Sequence, residues 1–258
     1  MTTATLEPAR AASAARKGTA MARIGNVVRL HFVNKSTLVV VPWIVMAAVF
    51  VFSMTIWLIV TIASDGAAGR EGNLYSGATN WIFVYMLVVA VQAVNLTFPY
   101  ALGMSVTRRE YALGTGAAFL AVSVVYGLVL TVLSYVEQAT GGWGMNGHFF
   151  AIPHVTTGEW WQRWFVFFVG FAFFFFVGWV AAATFVRWRA FGLLTLGLCF
   201  AVALIGVLAL ITLTNSWPAV GAWFVSSGAA GVAAWMLLPT AAAALGGFLL
   251  LRGATPRS

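Results

Sequence analysis

The chain has 258 residues, of which 62% are hydrophobic and only 8% charged, and its formal net charge is +8. A soluble domain carries about 25% charged residues, so this composition excludes a soluble globular protein and indicates an integral membrane protein. The basic excess then calls for Lys and Arg placed on one side of a bilayer rather than for a nucleic-acid partner.

Residues 1–20 are rich in Ala, Thr and Ser, with Arg10, Arg16 and Lys17, and hold nothing that could bury a core. They are expected to be a disordered cytoplasmic tail. In residues 21–35, Met21, Ile24, Val28 and Phe32 recur at helical spacing with Val27 beside them. Arg23, Asn26 and Arg29 lie around the other side, although Leu30 and Val33 interrupt that polar face. This pattern suits a short basic amphipathic helix lying in the membrane interface. A plain basic flank for the first span is the alternative.

Six apolar runs follow, at about 37–62, 81–104, 111–136, 164–186, 191–213 and 229–251. Each is long enough for a bilayer core of roughly 30 Å. The expected fold is therefore an all-α bundle of six transmembrane helices, a single transmembrane unit over 21–252 with a short tail at 253–258. The first run is too long for a cleaved signal segment.

Loop charge sets the expected orientation. With the N-terminus inside, the inner segments hold Arg10, Arg16, Lys17, Arg23, Arg29, Lys35, Arg108, Arg109, Arg187, Arg189, Arg252 and Arg257. The outer segments hold only Arg70 and Arg163. Both termini are thus expected in the cytoplasm. Trp81, Trp143, Trp160, Trp161, Trp164, Trp217 and Trp223 mark the outer interface as an aromatic belt.

No Asp, Glu, Lys, Arg or His falls near the middle of any run. That weighs against a proton-coupled carrier, a voltage sensor or a haem subunit. No nucleophile is paired with a base inside the runs, and no phosphate-binding loop is present. Catalysis by the chain itself is not expected, and no cofactor or metal is expected in it.

The second run has the strongest polar signal. Gln92 and Asn95 share a face, with Thr97 and Pro99 one turn on. They read either as hydrogen-bonding glue between helices or as the lining of a translocation path. The phenylalanines of the fourth run surround the helix, which suits a lipid-facing and packing surface, and Gly170 and Gly178 would let a neighbour approach closely. His148, His154 and Glu159 read as solvated loop residues, and Cys199 as a buried packing residue. Residues 214–225 are too short to span and too apolar for a free loop, so they read as an interfacial or re-entrant piece.

Between the second and third runs lies Gly103-Met-Ser105-Val-Thr107-Arg108-Arg109-Glu110-Tyr111-Ala-Leu-Gly114. With the basic N-terminal helix, the six runs and the apolar piece before the last one, this segment resembles the type-2 ABC exporter permeases of bacteria. The resemblance covers roughly 21–252. It implies a plasma-membrane permease without enzymatic activity of its own, working with two copies of a separate ABC ATPase and with a second permease, this chain or a related one. ATP and Mg would be bound by the ATPase. The coupling segment would be Thr107, Arg108, Arg109, Glu110 and Tyr111. The path would be lined by Gln92, Asn95 and Thr97 with Thr195 and Cys199, and Trp217, Pro218, Trp223 and Phe224 would form an outer lid. A non-transporting scaffold or immunity-type membrane protein is the alternative, followed by a lipid-acting membrane enzyme built on His148, His154 and Glu159.

Overall fold

The structure is a computed structural model that describes residues 21–33, 36–67, 74–153, 155–156 and 158–253. The expected tail at 1–20, His154 and the last residues, 254–258, lie outside the described set. Residues 21–33 form helix α1. Then come α2 (Val41–Ala63), α3 (Trp81–Gly103), α4 (Arg108–Ala139), α5 (Trp160–Leu213) and α6 (Trp217–Arg252). Among the described residues the only β-type pairing is an isolated bridge between Tyr75 and His148. The described residues are thus all-helical in fold, and five helices among them are long and apolar enough to cross a membrane.

Helix α5 runs for 54 residues but contains one non-helical residue, Arg189, at φ 58° and ψ −149°. Helix α6 is interrupted in the same way at Gly228, at φ 62° and ψ 176°. This backbone region is open almost only to glycine, so Gly228 fits its place without strain and Arg189 does not.

The core is built by α3, α4 and the first half of α5. On α3 the buried stripe is Ile82, Met86, Val89, Val94 and Phe98. On α4 it is Tyr111, Thr115, Phe119, Val122, Tyr126 and Leu130, again at steps of three and four. On α5 it is Phe167, Phe171, Phe175 and Trp179. The phenylalanines of this helix were expected to form a lipid-facing and packing surface, and several pack on neighbouring helices: Phe119 stacks on Phe175, Tyr126 meets Phe171 edge-on, and Phe83 packs against Phe171. Every one of the eight phenylalanines from Phe165 to Phe176 is at least half-buried.

Small residues let these helices close up. A Cβ on Gly178 would lie 2.5 Å from the Leu87 carbonyl oxygen, and one on Gly127 would lie 3.1 Å from the Phe168 nitrogen. The second half of α5 is the opposite case, since residues 194–210 are all exposed.

Candidate functional site

Helix α3 ends and α4 begins within four residues. Ser105 takes a left-handed conformation, φ 61°. Val106 N–H donates to the Ala101 carbonyl at 3.2 Å and Ser105 N–H to the Leu102 carbonyl at 3.1 Å. This is the pair of bonds that closes a helix over a left-handed residue, a place glycine usually takes. Val106 then packs on the core. At the next residue the following helix starts. The Thr107 hydroxyl accepts from Glu110 N–H at 3.2 Å, and the Glu110 carboxylate accepts from Thr107 N–H at 3.1 Å and from its hydroxyl at 2.9 Å. The stop signal of one helix abuts the start signal of the next, which leaves the turn no slack.

Helix α1 lies across this turn through residues four apart. Arg23 Nε is 2.9 Å from Glu110 Oε1. Val27 fills the space over Gly114, where an added Cβ would lie 2.6 Å from the Val27 Cβ. His31 Nε2 is 2.9 Å from the Thr115 hydroxyl, and its ring sits between Tyr111 and Phe119. Burial pushes the His31 pKa down from 6.5 to about 4. The face that α1 turns inward therefore runs through Val27 and His31. Met21, expected on the apolar stripe, is 75% exposed.

The residues singled out in the turn divide into two sets. Glu110 and Tyr111 are buried within the chain, whereas Thr107 and Arg109 are exposed. Arg108 Nη1 donates to the Arg252 carbonyl at 2.9 Å, which ties the end of α6 to the turn. Arg187 approaches the same place, because a Cβ on Gly253 would lie 2.9 Å from its Nη1. One end of the bundle thus gathers Arg23, Arg108, Arg109, Arg187 and Arg252.

The second set, on α3 and α5, is not brought together within one chain. Thr97 turns inward, with its hydroxyl 2.8 Å from the Tyr111 hydroxyl and 2.7 Å from the Ala93 carbonyl. Asn95 Oδ1 is buried without a hydrogen-bond partner. Gln92 is exposed, and so are Thr195 and Cys199 on the open half of α5. Cys199, expected to be buried, is a free exposed cysteine here, in a stretch, 194–210, whose residues are all exposed. Trp217, Pro218, Trp223 and Phe224 are also exposed. They belong to the segment of α6 before Gly228, where Trp223 packs edge-on against Phe224.

The other end of the bundle carries a buried cluster that sequence reading did not single out. The Glu137 carboxylate, 1% exposed, accepts from Trp143 Nε1 and from the N–H groups of Phe149, Phe150 and Ala151, at 2.8–2.9 Å. Arg163 Nη1 donates to the Ser134 hydroxyl and the Gln138 side chain, and its guanidinium lies over the Tyr135 ring. Signals for both existed. An acid at a helix C-terminus opposes the helix dipole and needs compensating donors. A basic residue in a segment expected on the outer side departs from the charge rule and so calls for an internal partner. His148 is held by its backbone to Leu74 and Ser76. Glu159 N–H donates to Gln162 Oε1 at the start of α5. Among the described residues no three His, Cys, Asp or Glu side chains gather as a metal site requires.

No family model, curated protein or solved structure matches the chain.

Proposed function

We propose that the chain is the membrane-spanning subunit of an ATP-driven export complex, coupled to a separate ATPase through the turn between α3 and α4. The observation that carries this reading is the fixed turn itself. It is closed by helix-end bonds on both sides, clamped by α1 and tied to the end of α6 by Arg108. A push on such an element moves whole helices as rigid bodies.

Arg109 and Thr107 are the exposed groups a partner would meet, with Arg108 beside them. Glu110 and Tyr111 would then act from inside, by holding the turn to α1 and α3. The gathered arginines favour this end as the cytoplasmic one, with both termini there and the chain in the plasma membrane. In this reading α1 is the interfacial helix. The break at Arg189 divides α5 into two spans, which gives six.

The exposed half of α5 and the exposed Gln92 support a second copy or a related permease packing there, because an amide facing lipid is costly. Gln92, Asn95, Thr195 and Cys199 would line the path between the two copies, and the segment from Trp217 to Phe224 would cover its outer end.

The test is purification under mild detergent followed by an ATPase assay. A soluble ATPase should accompany the chain. Arg109→Glu should leave insertion intact and separate hydrolysis from export. Arg108→Glu should additionally loosen the end of α6. Purification of the chain with no nucleotide-binding partner would overturn the proposal.

A further inference from the structure

At the end of the bundle opposite the arginines, a half-open cavity of about 720 Å³ lies between α3, α5 and α6. Its walls are Phe83 from α3, Phe167 and Phe174 from α5, and Val232 and Met236 from α6. Phe224, on the side of the Gly228 break nearer Trp217, also lines it. The volume falls within the range of small-molecule sites, about 300–1,000 Å³. None of the residues singled out on α3 for the path lines it.

Among the described residues the lining carries no Lys, Arg, His, Asp or Glu. Its side-chain hydrogen-bonding groups are the Tyr75 phenol and the Asn80 amide, both exposed residues in the segment leading into α3. Asn80 immediately precedes α3, yet its side chain does not cap that helix. The arrangement is an apolar aromatic sleeve with two uncharged polar groups at the chain entry to α3. Among the described lining residues a charged headgroup would find no counter-charge, and a wholly apolar molecule would leave the amide unused.

We infer that this cavity binds the alkyl chain of a neutral-headed amphiphile, with its polar end at Tyr75 and Asn80. Two sources share that chemistry, a resident bilayer lipid and a free long-chain alcohol or similar transported compound. The inference rests on the helices spanning a membrane and does not require the ATPase.

The test uses the full-length chain in nanodiscs with hexadecanol carrying a diazirine in its tail, followed by peptide mapping after irradiation. Saturable labelling of the peptides holding Phe83, Phe174 and Met236 is expected, with competition by unlabelled hexadecanol. Ala229→Trp places a ring in the cavity and should cut that labelling by about tenfold. Asn80→Leu should weaken competition by the alcohol more than by hexadecane. If Ala229→Trp does not fold, Val232→Phe and the competition on the unaltered chain decide the matter. Stoichiometric diacylglycerol or glycosyl-diacylglycerol retained in native mass spectrometry, and lost in Ala229→Trp, would identify the resident lipid as the source. Displacement by hexadecanol with no retained lipid would identify the free amphiphile. Labelling that does not saturate, that follows the exposed 191–213 stretch equally, or that ignores both cavity-filling variants would overturn the inference. None of these readings involves ATP, so failure here and failure of the export reading are separate results.

Discussion

Between α3 and α4 the chain passes from one helix to the next through four residues. Their backbone groups are satisfied by Ala101, Leu102 and the Thr107–Glu110 pair. In α5 the helix breaks on the single residue Arg189, within a stretch, 187–190, that is exposed throughout. Gly114 on the first side admits Val27, whereas Gly197 on the second has nothing within 4 Å of its added Cβ. The first turn therefore joins helices that are bonded and packed to one another, whereas the helix after the second is exposed over 194–210. Rigidity here comes from satisfied helix ends and a docked third helix, not from the apolar content the two regions share.

The strongest way to break this contrast is Gly114→Leu. The new side chain would occupy the place of Val27 and lever α1 off, at a cost of about 3 kcal/mol, read as loss of resistance to unfolding in detergent. Gly197→Leu should cost nothing and, as a helix interior glycine, gain about 0.5–1 kcal/mol. Equal effects at the two glycines would show that the contrast is false.

Next comes pH. His31 is held neutral by burial, with its pKa lowered from 6.5 to about 4. Between those values the detached imidazole binds a proton that the docked one refuses, so docking of α1 weakens as pH falls through that window and is flat above it. Amide exchange of residues 21–33, corrected for the intrinsic pH dependence of exchange, should quicken as pH falls from 6.5 to 4, and His31→Gln should flatten the profile. The third effect is Thr107→Ala, which removes the cap and should cost about 1 kcal/mol, visible as faster amide exchange in the first turn of α4. The smallest is Ser105→Gly, which relieves a left-handed serine and should gain at most about 1 kcal/mol in the same unfolding measurement.

The all-helical character and the long apolar helices were legible in composition and run length, because those depend only on local hydrophobicity. The separation of two runs near Arg187 and Arg189 was legible from the charges alone. The inward face of α1 was only partly legible. Periodicity pointed through Met21, but the seat is made by Gly114 and Thr115, far along the chain, and that selects Val27 and His31. The inward turn of Glu110 and Tyr111 depends on the same docking. The hydrogen bond of Thr97 to Tyr111 was not legible, because the partner lies on another helix. The Glu137 cluster stayed hidden because three of its four donors are backbone N–H groups, which every residue type offers.

Helix α4 is fastened at both ends, by Arg23, Val27 and His31 at its start and through Glu137 to the 143–151 loop near its finish. Under mechanical load such a helix behaves as a tie rod. A probe pulling the chain out of a bilayer from its C-terminus should draw α6 and the open half of α5 at low force. It should then meet its highest rupture peak when the carboxylate of Glu137 must release four donors at once.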